Sequence, residues 1–279
     1  EACQMTGVAV ASDGSILVLN HGENSIEPLR PFRREIIQKP TVLVLDPKSG
    51  KILRAWGENL LMRPHQISVD AGGHIWIVDS GLKKVFKFDA KGTLLFEIGG
   101  GEISFNLPTD VAVLSDGSFI VADGATNKRG VKFNTEGESL GDWGLRSEGG
   151  PIILHTPHGI TSDAEDRVYV ADKEKHWVQV LSAEGALLAT WKKVGGPLSI
   201  RHHQGSIYVL SNLSGTRGIV RRFNTAGELQ ESFHTRGLGK IQDYEWPHGL
   251  AVSDGGNSIY VGFILTARRV QRYLRIKRT

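Results

Sequence analysis

A length of 279 residues with 40% hydrophobic content suits one all-β domain, and 34 glycines call for many turns. A net charge of +3 gives no footprint for nucleic acid, and no apolar run approaches the roughly 20 residues of a membrane helix. The single cysteine, Cys3, excludes an internal disulfide framework and a thiolate metal site.

The chain starts at Glu1 rather than Met, which suits a leader either cleaved or trimmed away, and a secreted or periplasmic location is the expectation. From there the sequence repeats with a period of about 40–45 residues. The repeats open at Met5-Thr6-Gly7-Val8, Pro64-His65-Gln66-Ile67, Pro108-Thr109-Asp110-Val111, Pro157-His158-Gly159-Ile160, Pro197-Leu198-Ser199-Ile200 and Pro247-His248-Gly249-Leu250. Most then follow one script. A turn such as Ser12-Asp13-Gly14 or Ser115-Asp116-Gly117 leads to a β-branched strand such as Ile75-Trp76-Ile77-Val78-Asp79. A third strand, a Gly-bearing hairpin and a fourth strand ending near Trp56, Trp143 or Trp191 complete the unit.

Four short strands repeated six times predict an all-β fold, a six-bladed β-propeller formed by residues 1–279 as one domain. Its blades open near 6, 65, 109, 158, 198 and 248. The first repeat carries an insertion between Gly22 and Pro40, expected over one mouth of the channel. The last runs out after its third strand, so its outer strand is expected to be missing or supplied from before residue 1. The basic run Arg268, Arg269, Arg272, Arg275, Lys277 and Arg278 reads as an edge kept soluble by charge, with a patch for an anionic partner as the alternative.

In a propeller the first strand of each blade lines the channel. His65, His158 and His248 share one register on repeats 2, 4 and 6, 93 and then 90 positions apart. Thr6, Thr109 and Leu198 take that register on the intervening repeats. Alternate blades of six are about 120° apart, so the three imidazoles converge on the axis. Three neutral imidazoles suit a divalent metal, with zinc the usual occupant and a fourth position open, although another divalent metal would also accept them. His74, His155, His176, His202, His203 and His234 read as structural or surface residues, whereas His21 falls near a channel mouth. Asp79, Asp123 and Asp172 recur from blade to blade and read as caps of the turns that follow them.

With these residues in view, the chain resembles the peptidyl-α-hydroxyglycine α-amidating lyase family, six-bladed propellers related to NHL-repeat proteins. The likeness covers nearly the whole chain and includes Thr6-Gly7-Val8-Ala9-Val10, Val44-Leu45-Asp46-Pro47, Pro64-His65, Leu107-Pro108-Thr109-Asp110-Val111, Asp123-Gly124, Asn127, Arg129 and Pro157-His158. It implies zinc on His65, His158 and His248. The family's tyrosine, thought to act as base, corresponds to Ala125, and its two substrate-gripping arginines correspond to His21 and Lys173. Its structural calcium uses an aspartate directly after the third histidine. Gly249 stands there, and the main-chain positions near Val8 and Ile67 cannot hold the ion unaided.

The expectation is therefore a zinc-dependent lyase or hydrolase acting on a small hydroxylated or carbonyl-bearing substrate. His21 and Lys173 would orient an anionic group, and the base would be His21, Glu23 or a water activated at the metal. Its partner would be a small molecule, with neither nucleic acid nor a membrane span, and the protein a monomer. The competing readings are a non-enzymatic NHL-type propeller that binds a protein or ligand, and a metal-dependent lactonase. The lactonase ranks lower, because those sites lean on carboxylate and Asn ligands to calcium.

Overall fold

A computed structural model gives the fold. It describes residues 3–26, 33–101, 103–124, 126–144, 154–212, 218–235 and 245–275. They form six antiparallel sheets, one per repeat. Five sheets have four strands in sequence order from the channel outward, and the sixth has three. The inner strands are Met5–Val10, Pro64–Val69, Asp110–Val113, Pro157–Ser162, Gly196–His203 and Glu245–Ser253. Among the described residues the last blade ends at Val270–Leu274, as the sequence suggests.

Hydrophobic burial is concentrated in six wedges between neighbouring blades. Leu17, Leu19 and Val42 of blade 1 pack on Ile67, Ile77 and Phe86 of blade 2. The same arrangement passes from blade to blade until Ala251 and Tyr260 of blade 6 pack on Val8, Ile16 and Val18 of blade 1 and close the ring. Each second strand is buried on both faces, because it lies in the middle of its blade with a wedge on either side. That is why these strands read as unbroken β-branched and aromatic runs rather than alternating ones.

The hairpin glycines explain the recurring tryptophans. Gly227 of blade 5 has φ +88°, and a Cβ there would lie 2.4 Å from the indole nitrogen of Trp191 in blade 4. Gly92 on Trp56 and Gly185 on Trp143 repeat the contact. Each hairpin thus covers the outer tryptophan of the preceding blade, a backbone-to-ring approach that only glycine permits.

The described part of the insertion is held against the end of the channel where the inner strands begin. Asn24 donates to the carbonyls of Glu35 and Met62 at 2.7 and 3.0 Å. Gln4 Oε1 accepts from the Ile26 amide at 2.8 Å. Ile37 is fully buried. Residues 27–32 lie outside the described set, as do Lys277 and Arg278 of the basic run.

Candidate metal centre

The histidines reach the channel axis through backbone irregularities rather than simple strand alternation. Pro64 pairs with Asp79 and Gln66 with Val78, so His65 is an extra residue in the ladder. His158 and His248 are skipped in the same way on their strands. A β-bulge bends the strand and re-aims one side chain, here toward the axis. The three rings meet edge to face, with centroids 4.8, 4.9 and 5.2 Å apart. One ligand atom from each lies within 4.8 Å of the others.

The intervening blades orient these rings. His65 Nδ1 donates to the Thr109 carbonyl at 2.6 Å, His158 Nδ1 to the Leu198 carbonyl at 2.7 Å, and His248 Nδ1 to the Thr6 carbonyl at 2.7 Å. A carbonyl accepts only, so each Nδ1 carries the proton and each Nε2 keeps its lone pair. Burial pulls the His65 and His158 imidazoles well below the usual histidine range, and the neighbouring His248 adds to the effect. Burial brings His248 down to about 4. Three neutral imidazoles with fixed tautomers are a donor set that fits one zinc-like cation.

The approaches to the histidine strands are fixed by the recurring aspartates. Asp79 is fully buried and accepts from four amides: Met62 at 2.7 Å, Arg63 at 3.0 Å, and Gly81 and Leu82 at 2.8 Å. Asp172 accepts from the His155 and Thr156 amides at 2.7 and 3.0 Å. Asp79 caps the turn that follows it, as its recurrence suggests, and both Asp79 and Asp172 clamp the residues that lead into Pro64-His65 and Pro157-His158. Asp123 holds the Asn106 amide and the Asn127 and Arg129 side chains. In blade 6 Phe263 takes the place opposite Pro247 that Asp79 and Asp172 take opposite Pro64 and Pro157.

His21 is buried, and its Nε2 donates to the Pro64 carbonyl at 3.1 Å. Burial, reinforced by His248 and Arg63, lowers its pKa to about 3, so it stands neutral beside the centre. Lys173 lies within electrostatic reach of His158 and His248 and sits over the Trp246 ring at 5.7 Å. The Glu23 carboxylate accepts from the Gln38 amide at 2.6 Å. Ala125 is outside the described residues. Sequence reasoning missed Arg63, whose charge acts on His21, His65 and His248. The available signal was a cation two positions before a channel histidine.

Calcium does not fit the residues present. Gly249 brings no carboxylate, and a Cβ there would come 2.9 Å from Gly7 Cα, the Thr6 carbonyl oxygen and the Val8 nitrogen. There is no room for the side chain that would be required.

Comparison with known proteins agrees with this architecture. Residues 154–181 match the NHL repeat. The chain is 27% identical to peptidyl-alpha-hydroxyglycine alpha-amidating lyase 1 of Drosophila melanogaster, over 97% of its own length and 57% of that protein. It is 28% identical to the peptidylglycine alpha-amidating monooxygenase of Rattus norvegicus, over 93% of its length but only 29% of that protein, and so spans less than a third of it. Among solved structures, a streptogramin B lyase superposes with a TM-score of 0.62 at 17% identity, covering 100% of this chain and 85% of that one. The chain is thus a homologue of amidating lyases, at 27–30% identity, with a six-bladed propeller and an NHL repeat.

Proposed function

We propose that this protein is a zinc-dependent lyase, or a hydrolase of related chemistry, acting on a small hydroxylated or carbonyl-bearing molecule in the channel. One observation carries the reading: three imidazoles on alternate blades, each with Nδ1 committed to a main-chain carbonyl, turn their remaining nitrogens to a common point. His65, His158 and His248 would hold the ion. When bound, zinc supplies Lewis acidity that polarises an oxygen or lowers the pKa of a hydroxyl. Three protein ligands leave a position for that oxygen. The lyase homologues support the reaction class.

The chain's own residues then divide the work. Lys173 and Arg63 flank the histidines with positive charge and attract a substrate carboxylate or other anion. Trp246 stacks under the Lys173 ammonium and restricts where it sits. His21, neutral and bonded to Pro64, fixes the peptide that carries His65. Glu23 shapes the insertion through Gln38. For a lyase, the substrate hydroxyl loses its proton, its oxygen becomes a carbonyl, the carbon–heteroatom bond breaks, and the leaving heteroatom takes up a proton. The location would be secreted or periplasmic, and the protein a monomer.

The test is metal analysis of the protein purified without added metal, with turnover on a panel of α-hydroxylated carboxylates and peptidyl-hydroxyglycines. One equivalent of zinc, lost with turnover in His65→Ala, is expected. Turnover that survives without metal overturns the reading, and a metal-free, inactive but stable wild type favours the non-enzymatic propeller.

A further inference from the structure

One residue beyond the histidine register, the inner strands carry Gly7, Gln66, Asp110, Gly159, Ser199 and Gly249. The glycines let neighbouring strands approach too closely for a side chain: a Cβ on Gly7 would meet the Ile67 nitrogen at 2.8 Å. Asp110 is the one acid of this layer, and it is almost wholly buried. Its counter-charge arrives from across the channel. Arg201 Nη1 donates to Asp110 Oδ2 at 2.7 Å and to the Ile200 carbonyl at 2.8 Å. Arg201 Nη2 reaches Gln66 Oε1 at 3.3 Å and the Ile67 carbonyl at 3.4 Å. Gln66 Nε2 in turn donates to the His248 carbonyl at 3.3 Å. Asp110 also accepts from the Ile160 amide at 3.2 Å and from its neighbour Val111 at 3.0 Å.

This arrangement is more than an ion pair. Four oxygens from blades 2, 3 and 5 converge on one guanidinium: a carboxylate, a side-chain amide and two main-chain carbonyls. An all-oxygen set with one carboxylate is what a hard divalent cation takes. Here the positive charge is covalent, planar and permanent. Gly249 supplies no second carboxylate, so a calcium ion would have to displace Arg201 and leave that charge buried. Burying an unpaired charge costs several kcal/mol, so the two cations exclude each other.

We infer that Arg201 is the built-in cation of the channel: it takes the place of a second bound metal, ties blades 2, 3 and 5 together, and through Gln66 holds the His248 strand as a positioning residue of the metal centre. The calcium-free character of the channel stands on geometry alone. The effect on the histidines rests on the zinc reading given above, and the two are tested separately.

The first measurement is calcium titration into chelator-treated wild type, by equilibrium dialysis and by thermal unfolding, with and without excess zinc. No calcium is expected to bind, and the unfolding temperature should not move. Stoichiometric calcium, or stabilisation by it, overturns the inference. The second uses Arg201→Met, Arg201→Lys and the charge-neutral Asp110→Asn/Arg201→Met pair, the last retained in case the single variant does not fold. Zinc affinity is read by competition with a chromophoric chelator at a temperature where circular dichroism shows each variant folded. Loss of a supporting partner typically weakens metal binding about 10–100-fold. That loss is expected in the Met variants, with Arg201→Lys intermediate because it keeps the charge without the fork. A folded double variant with wild-type zinc affinity overturns the positioning role. If the wild type binds no zinc, the proposed function falls, while the calcium titration still decides whether Arg201 supplants a metal.

Discussion

Replacing Asp79 by Asn tests whether the recurring aspartates build the site or only close turns. Oδ2 accepts from the Met62 and Arg63 amides and Oδ1 from Gly81 and Leu82, with the Arg63 amide shared to Oδ1 as well, all at 2.7–3.1 Å with no exposure to solvent. An asparagine presents an NH2 group to one of these donor pairs whichever way it flips. Because Arg63 can stay on the remaining oxygen, one hydrogen bond to a charged acceptor is lost in one flip and two in the other, each worth about 1.5–3 kcal/mol. With partial relaxation the cost is roughly 2–5 kcal/mol. For a chain of this size about 2–4 °C is lost per kcal/mol, so the midpoint should fall by roughly 4–20 °C. Urea unfolding with an unchanged slope would place the loss in the native state. The segment Met62–Arg63 leads directly into His65, so zinc affinity of the folded variant should fall as well. Stability within about 1 kcal/mol of wild type, a loss no larger than that of a single ordinary hydrogen bond, would refute the reasoning.

Gly227→Ala forces a Cβ into the Trp191 indole at positive φ and should cost roughly 1–3 kcal/mol by overpacking and backbone strain, read from the urea midpoint. Lys173→Met and Arg63→Met should raise KM for an anionic substrate far more than they lower kcat, and leave a neutral analogue unaffected; equal losses on both analogues would remove the anion-steering role. Asp13 and Asp116 sit in equivalent turns, where the hydroxyls and amides of Ser15 and Ser118 hold their carboxyls below the ordinary 3.8. Their stabilisation is complete above that value and disappears as pH falls through the lower folded values. The Asp13→Asn/Asp116→Asn variant should therefore lose less stability than wild type between pH 4 and lower pH in acid titrations followed by circular dichroism.

Much of this molecule is written in local pattern. Strand runs, Gly-bearing turns and a regular period identify six blades, because period-two alternation and turn chemistry act over a few residues. The same regularity places His65, His158 and His248 on alternate blades, since equal repeats in a closed ring fix angular position. The recurrence of Asp79, Asp123 and Asp172 marks them as structural. Their grip on the strand entries, 16 and 17 positions upstream, becomes visible only once the sheets are paired.

What the sequence left open concerns contacts between residues far apart in the chain. The bulges that aim the histidines are a property of strand pairing. The carbonyls that fix their tautomers come from Thr109, Leu198 and Thr6 on the neighbouring blades, the very residues that break the histidine pattern. His21 reads as a possible cation, yet burial makes it neutral, because desolvation depends on what the fold stacks around a ring and not on its neighbours in sequence. Arg201 gives no signal at all in its own repeat. Its partners Asp110 and Gln66 lie 91 and 135 positions away, and only closure of the ring brings one guanidinium within reach of both. The repeat determines which residues line the channel, and the closed tertiary structure decides their charge, aim and partners.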